Sequence, residues 1–178
     1  MAKKGVAVWF TGLSCAGKTT IAQALEKRLT SDGIATTVLD GDVVRQSITM
    51  ELGFGRADRD ENIRRIGFLA HLLTRDGTIV LVAAVSPFRE VRDEVKKRIG
   101  DFVEVFVSAP LELCQQRDVS GFYRRVRDEG LKHVAGIDEP YEPPLNPGVK
   151  CQTDVSSVDE CVEQVYAELV AQGYVNVQ

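Results

Sequence analysis

Lys18 and Thr19 follow two glycines, Gly12 and Gly17, that bracket four residues in the stretch FTGLSCAGKTTIA, residues 10 to 22. Glycine lets the backbone take positive φ and bring its N–H groups close to an anion, and the N-terminus of a following helix adds partial positive charge. Between a strand and a helix, the pattern G-x-x-x-x-G-K-[ST] therefore describes a phosphate cradle. In that reading Lys18 reaches the β- and γ-phosphates of ATP and the Thr19 hydroxyl ligates Mg²⁺. A second pair, Asp40 and Asp42, stands in LDGDVVR with Gly41 between them and Arg45 just after. Phosphoryl transfer to a hydroxyl needs a metal held beside the phosphates and a group that orients the acceptor or takes its proton. Two carboxylates at one strand end can divide those tasks. Asp-Gly-Asp is also ordinary turn chemistry, and it is the phosphate loop that tips the reading toward function.

These groups need a scaffold, and the chain writes one as strands alternating with helices. The apolar run Val6 to Phe10 leads into the loop, and TIAQALEKRL carries helical spacing after it. ATTVLD (35 to 40) reads as a short strand, followed by an irregular stretch and a helix over ENIRRIGFLAHLLTRDG. TIVLVAAVS (78 to 86) is the near-continuous β-branched run of a strand covered on both faces. A helix then begins after Pro87, FVEVFVSAP is a fourth strand and LELCQQRD a short helix. A weak fifth strand near Val149 to Cys151 and a helix over SVDECVEQVYAELVAQG complete the order. Such alternation implies a parallel sheet with helices on both sides, whose ligands bind beyond the carboxyl ends of the strands. One segment does not fit: Val119 to Pro147 is polar and glycine-bearing, and a loop that long in a compact domain is an active-site lid or is disordered. Its basic residues favour the lid.

Composition sets outer limits. A chain of 178 residues, 44% hydrophobic and 27% charged, suits a single soluble domain spanning 1–178. No apolar run is long enough for a bilayer and the N-terminal stretch lacks a signal cleavage pattern, so a cytoplasmic location without membrane association is expected. The net charge of −4 disfavours nucleic-acid binding. Local positive charge is instead concentrated in Arg117, Arg124, Arg125, Arg127 and Lys132. Cys15, Cys114, Cys151 and Cys161 show neither a C-x-x-C pair nor companion histidines, which argues against zinc and a disulfide framework. Cys15 sits where helix-dipole and lysine fields lower a thiol pKa, and it is either a redox switch or a small side chain that the loop tolerates. A small GTPase would carry an Asn-Lys-x-Asp motif late in the chain, and none is present. Small-molecule kinase is the class that remains.

TGLSCAGKTT, LDGDVVR, LGFGRADRDENIRRIG, VSPFREVR and GIDEPYEPP, in that order and spacing, resemble the adenylylsulfate kinase family from about Val6 to Asp154. The resemblance implies an α/β P-loop fold, a nucleoside-kinase-like three-layer sandwich with a mostly parallel sheet and a lid. It implies transfer of the γ-phosphate of ATP, with Mg²⁺, to the 3′-hydroxyl of adenosine 5′-phosphosulfate (APS), giving 3′-phosphoadenosine 5′-phosphosulfate. The implied ATP-binding residues are Gly12, Ser14, Cys15, Ala16, Gly17, Lys18, Thr19 and Thr20, with Arg117 lying against the adenine. Arg45, Arg59 and Asn62 resemble the residues that hold the sulfonucleotide, and Arg's planar fork suits its phosphosulfate oxygens. Arg65, Pro87, Phe88, Gly136 and Ile137 fall in the same matching segments. Phe54 resembles an aromatic platform for the acceptor adenine, Asp42 the acceptor-side carboxylate, and Asp40, with Thr19, the metal-side ligand. Ser86 matches a family serine read here as a catalytic-site polar contact near the phosphates, and Lys132 a lid lysine facing the substrate. A homodimer and a functional link to ATP sulfurylase are also implied.

The departures fall on the acceptor side. Where the family has Phe-Thr-Gly in the lid, a phenylalanine covering the other adenine face, this chain has Val134-Ala135-Gly136. Loss of one aromatic stack costs on the order of 1–3 kcal/mol. Asp118-Val119-Ser120 stands for Asp-Pro-Lys, and Cys15 replaces a common loop glycine. Two alternatives stay open on this reading: a related kinase acting on another nucleotide-linked acceptor such as a cytidine diphosphate derivative, and a non-catalytic nucleotide-binding regulator.

Overall fold

The computed structural model describes residues 4–176; the ends of the expected 1–178 domain lie outside the described residues. Five strands form one wholly parallel sheet in the order β2-β3-β1-β4-β5. These are β1 (Val6–Thr11), β2 (Thr36–Asp40), β3 (Ile79–Ala83), β4 (Phe102–Ser108) and β5 (Val149–Gln152). Between them run α1 (Lys18–Ser31), α2 (Gly41–Ser47), α3 (Arg56–Arg75), α4 (Arg89–Ile99), α5 (Leu111–Arg117) and α6 (Phe122–Glu129), and α7 (Val158–Ala171) follows β5.

The sheet divides two apolar layers, and β1 shows why its sequence is apolar throughout. Val6, Val8 and Phe10 point into the layer built with Leu25 and Leu29 of α1 and Val165 and Leu169 of α7. Ala7 and Trp9 point the other way, toward Ile63, Ile66 and Ala70 of α3 and Val91 and Val95 of α4. A central parallel strand buried on both faces needs apolar residues at every position, and all six residues of β1 are buried. Parallel pairing also carries every strand's carboxyl end to one edge, where Thr11, Asp40 and Ser108 are the last strand residues.

Four sequence expectations change. The irregular stretch after β2 is α2, because Asp40 Oδ1 accepts from the N–H groups of Asp42 and Val43 and caps a helix whose seven residues are too few to show a period. Helix α3 starts at Arg56, five residues before the expected start, and β3 stops at Ala83 rather than Ser86. The 119–147 segment expected to be a lid, called the lid segment below, contains α6, flanked by Gly121 and Gly130 in left-handed conformation at φ 70° and 66°.

Candidate active site

The nucleotide cradle is built at the end of the central strand. Gly12 is forced by space: a Cβ there would lie 2.2 Å from the carbonyl oxygen of Val107 on β4. Gly17 enters α1 at φ 108°, a conformation that favours glycine. Lys18 is buried, and its ammonium donates to the carbonyl oxygens of Gly12 (3.1 Å) and Leu13 (2.7 Å). Burial lowers the Lys18 pKa to about 8, against the nearby Asp42 and Asp40 carboxylates, which raise it.

The structure brings the two sequence-separated motifs together at Thr19 and Asp40. Thr19 Oγ1 donates to Asp40 Oδ2 at 2.6 Å, while Asp40 Oδ1 is occupied by the α2 cap. A hydroxyl that gives its proton to a carboxylate keeps its lone pairs for a hard cation, and Asp40 Oδ2 stands beside it. These oxygens fit Mg²⁺, which takes one or two protein ligands and completes its shell with water and phosphate oxygens. Asp42 is exposed at the start of α2. Arg117, at the end of α5, donates to Thr153 Oγ1 (2.9 Å), Thr153 O (2.5 Å) and Ala16 O (3.4 Å), and Thr153 Oγ1 donates to Ala16 O (2.8 Å). Arg117 and Thr153 thus hold the exit of the cradle. Ser14 and Cys15 form its apex, with Cys15 at φ 60°, and Thr20 is exposed on the first turn of α1.

Cys15 departs from expectation. Burial, with a contribution from the Asp118 carboxylate, raises its thiol pKa above the usual value despite Lys18. A protonated thiol is a poor nucleophile, so the structure favours the small tolerated side chain over the redox switch.

The acceptor-side residues gather on α2, α3 and the turn between them. Arg45 donates to the carbonyl oxygens of Leu52 and Gly53, and its guanidinium lies 4.2 Å from the centroid of Phe54. Phe54 is 62% exposed, an aromatic face stiffened by a cation and open to a ligand rather than a plug in the core. Asn62 is buried, and its Oδ1 accepts from Thr49 Oγ1 at 2.6 Å. Arg59 is half-buried, with Nη1 buried and without a hydrogen-bond partner; burial lowers its pKa and the Glu139 and Asp138 carboxylates raise it. Both carboxylates are thus near enough to act on the Arg59 charge. Arg65 is committed to Glu51 and Glu61.

Other matching residues lie in the support of the site. Ser86 is 1% exposed at φ 40°, and its hydroxyl accepts from Trp9 Nε1 (3.0 Å) and donates to Ala84 O (3.2 Å). Phe88 is buried in the α3/α4 layer under the Arg56 guanidinium, and its carbonyl oxygen accepts from Arg92 N, so it supports the site from within the core. Pro87 is buried, and its carbonyl oxygen accepts from Glu142 N. Lys132, Gly136 and Ile137 are exposed on the lid. Lys132 and Ile137 line a cavity of about 600 Å³, bounded by α5, α6 and the lid, together with Asp118, Arg124 and Arg127. Val134 does not face this space: it is 4% exposed and packs into the α1/α7 layer.

Sequence reasoning missed Arg92. It is 2% exposed and fans out from α4, with Nε to Glu104 of β4 (2.9 Å), Nη1 to Ser86 O (2.5 Å) and Nη2 to Glu142 O (2.7 Å). One guanidinium therefore fixes both the strained Ser86 turn and the trailing end of the lid. Arg92 closes the VSPFREVR motif, but nothing in that stretch named its partners on β4 and in the 119–147 segment.

Comparison with known proteins agrees with this geometry. Residues 4–152 match the family model described as adenylylsulphate kinase. An adenylyl-sulfate kinase of a Picosynechococcus species is 57% identical over 98% of this chain and 99% of its own length, and one from Microcystis aeruginosa is 55% identical over 99% and 97%. Among solved structures, the Mycobacterium tuberculosis APS kinase in complex with AMPPNP and APS superimposes with a TM-score of 0.89 at 43% identity, covering 94% of this chain and 98% of that one. The parallel sheet, the cradle and these full-length similarities lead to one conclusion: the chain belongs to the adenylylsulphate kinase family.

Proposed function

We infer that the chain carries out the family's reaction, ATP-dependent 3′-phosphorylation of APS, with the following division of labour. ATP lies with its phosphates over the loop from Gly12 to Thr20, and Lys18 leaves the loop carbonyls to meet the β- and γ-oxygens. Mg²⁺, held by Thr19 and Asp40, supplies charge neutralisation at those oxygens when bound. Asp42, exposed beside the cradle and close enough to act on the Lys18 charge, orients the acceptor hydroxyl or takes its proton. Arg45, Arg59 and Asn62 hold the sulfonucleotide, and the adenine stacks on Phe54. The lid cations balance charge on the moving phosphoryl group, and closure of the lid keeps water from the γ-phosphate.

The observation that carries this reading is the 2.6 Å hydrogen bond from Thr19 to Asp40, which joins the nucleotide loop to the carboxylate motif at the carboxyl edge of the sheet. The AMPPNP and APS bound by the Mycobacterium tuberculosis relative support the same pair of substrates here. The test is ATP consumption by the purified protein with Mg²⁺, with and without APS, coupled to mass detection of the product. Gain of one phosphate at the 3′-hydroxyl is expected. ATP binding without APS turnover, but with a non-adenine acceptor phosphorylated, would move the substrate to that acceptor.

The same reading includes a cytoplasmic homodimer supplied with APS by an ATP sulfurylase. A Thiobacillus denitrificans relative, 35% identical with a TM-score of 0.76, is a hexamer in which this chain matches 31% of the solved chain. Light scattering on the purified protein distinguishes dimer from higher assembly.

A further inference from the structure

The lid meets the nucleotide loop at three points that fall on four consecutive residues. At its leading end, Tyr123 in the first turn of α6 is 4% exposed, and its hydroxyl donates to the carbonyl oxygen of Ser14 at 3.0 Å. In its middle, Gly136 lies so close to Leu13 that a Cβ would come within 2.9 Å of Leu13 Cδ2. At its trailing end, the Tyr141 hydroxyl is 2.9 Å from Thr11 Oγ1. Thr11 has a single hydroxyl proton and gives it to Val85 O at 2.7 Å, so Tyr141 is the donor of the second pair.

Each tyrosine is itself held. Asp118 caps α6 by accepting from the N–H groups of Tyr123 and Arg124. The Tyr141 ring stacks on Phe106 with centroids 6.0 Å apart, and Glu142 next to it is bound to Pro87, Arg89 and Arg92. Between the two grips lie Gly12 and Leu13, the residues whose carbonyl oxygens accept from the Lys18 ammonium. Movement of the Gly12–Leu13 backbone as Lys18 changes partners is therefore felt at both ends of the lid.

We propose that Tyr123 and Tyr141 are positioning residues that fasten both ends of the lid to the phosphate loop, so that the state of the nucleotide site sets where the lid turn His133–Glu139 stands over the acceptor. The turn is the part that profits, since Asp138 accepts from His133 N and Val134 N and holds it as one unit, with Asp138 and Glu139 near enough to act on the Arg59 charge. Two ends tied to one loop make the lid a reporter of nucleotide occupancy. The activity arm of the test rests on the APS kinase reading; the exchange arm does not.

The variants are Tyr123→Phe, Tyr141→Phe and the pair, each removing one hydroxyl and no ring. In hydrogen–deuterium exchange, saturating non-hydrolysable ATP analogue is expected to slow uptake in residues 131–140 of the unmodified protein. The double variant is expected to lose at least half of that slowing at an equally saturating concentration. In turnover with APS, each single change should lower kcat about fivefold, the size of one lost hydrogen bond, with the ATP KM within about twofold. The ATP hydrolysed per phosphate transferred should rise severalfold. A lowered melting temperature with unchanged exchange response and unchanged hydrolysis-to-transfer ratio would mean the hydroxyls only stabilise the fold, and would overturn the proposal. So would an unmodified lid whose exchange ignores the analogue. Should the double variant fail to fold, the single variants decide by the same two readouts. Absence of APS turnover in the unmodified protein would count against the substrate and leave the exchange result to judge the tyrosines.

Discussion

The nucleotide cradle and the proposed acceptor wall are built on opposite principles. The cradle is continuous in sequence, and its key cation, Lys18, is buried and already bonded to backbone carbonyls. The acceptor wall is assembled from α2, α3 and the lid, and its aromatic face, Phe54, is 62% exposed. A phosphate is the same in every kinase and can be met by one short stretch of chain. An acceptor must enter, be covered and leave as product, which a buried, rigid pocket would prevent.

Changes that break this contrast should differ in kind as well as size. The largest effect is expected from Lys18→Ala, which should lower kcat on the order of 10²–10³-fold or more without unfolding the protein, because it removes a cation aimed at the charge that develops in transfer. Steady-state kinetics beside circular dichroism checks both halves. Arg92→Met should cost about 3–5 kcal/mol of stability in denaturant unfolding, because it strands the buried Glu104 carboxylate and frees the Ser86 turn and the lid base together.

A pH series probes the cradle alone. With the Lys18 ammonium held down at about 8, kcat/KM for ATP should fall as pH rises through about 8, approaching tenfold per unit, since the neutral amine offers no charge to the phosphates. Bound nucleotide favours the charged form, so kcat should persist to higher pH. Phe54→Ala probes the wall alone and should raise the APS KM about tenfold while the ATP KM stays fixed. Val134→Phe is the smallest and the most discriminating. A lid phenylalanine facing the adenine would tighten APS binding; in this fold Val134 is buried, so the larger ring should instead cost about 1–3 kcal/mol in thermal or denaturant stability with no gain in APS affinity.

The same contrast explains what the sequence made legible. Gly12, Gly17, Lys18 and Thr19 do their work with neighbours in the chain, so spacing alone described the cradle, and the apolar β1 described its place at the centre of the sheet. Asp40 was readable as a strand-end carboxylate, although its second task, capping α2, was hidden because a turn and a helix cap begin with the same residues. Helix α6 was missed because its apolar face, Phe122, Tyr123 and Val126, is short and set among charged residues, while the glycines at both ends marked it. Arg92 and Tyr141 stand inside the motifs VSPFREVR and GIDEPYEPP, but their tasks, like those of Tyr123 and Thr153, were silent because the partners that define them lie far along the chain, up to 137 residues away. Val134 misled for the related reason that a position in a family motif says which segment is present, not which way its side chain turns.

Thr153 carries one consequence beyond catalysis. The cradle leaves the ribosome well before Thr153, yet the oxygen of Ala16 at its exit is held by Thr153 and by Arg117, which itself leans on Thr153. The central strand likewise needs β3 and β4 on its two sides. A nascent chain therefore displays the complete phosphate-loop sequence long before it has the means to grip a nucleotide. Competence for ATP waits until β5 docks at the edge of the sheet and the turn after it closes behind the loop.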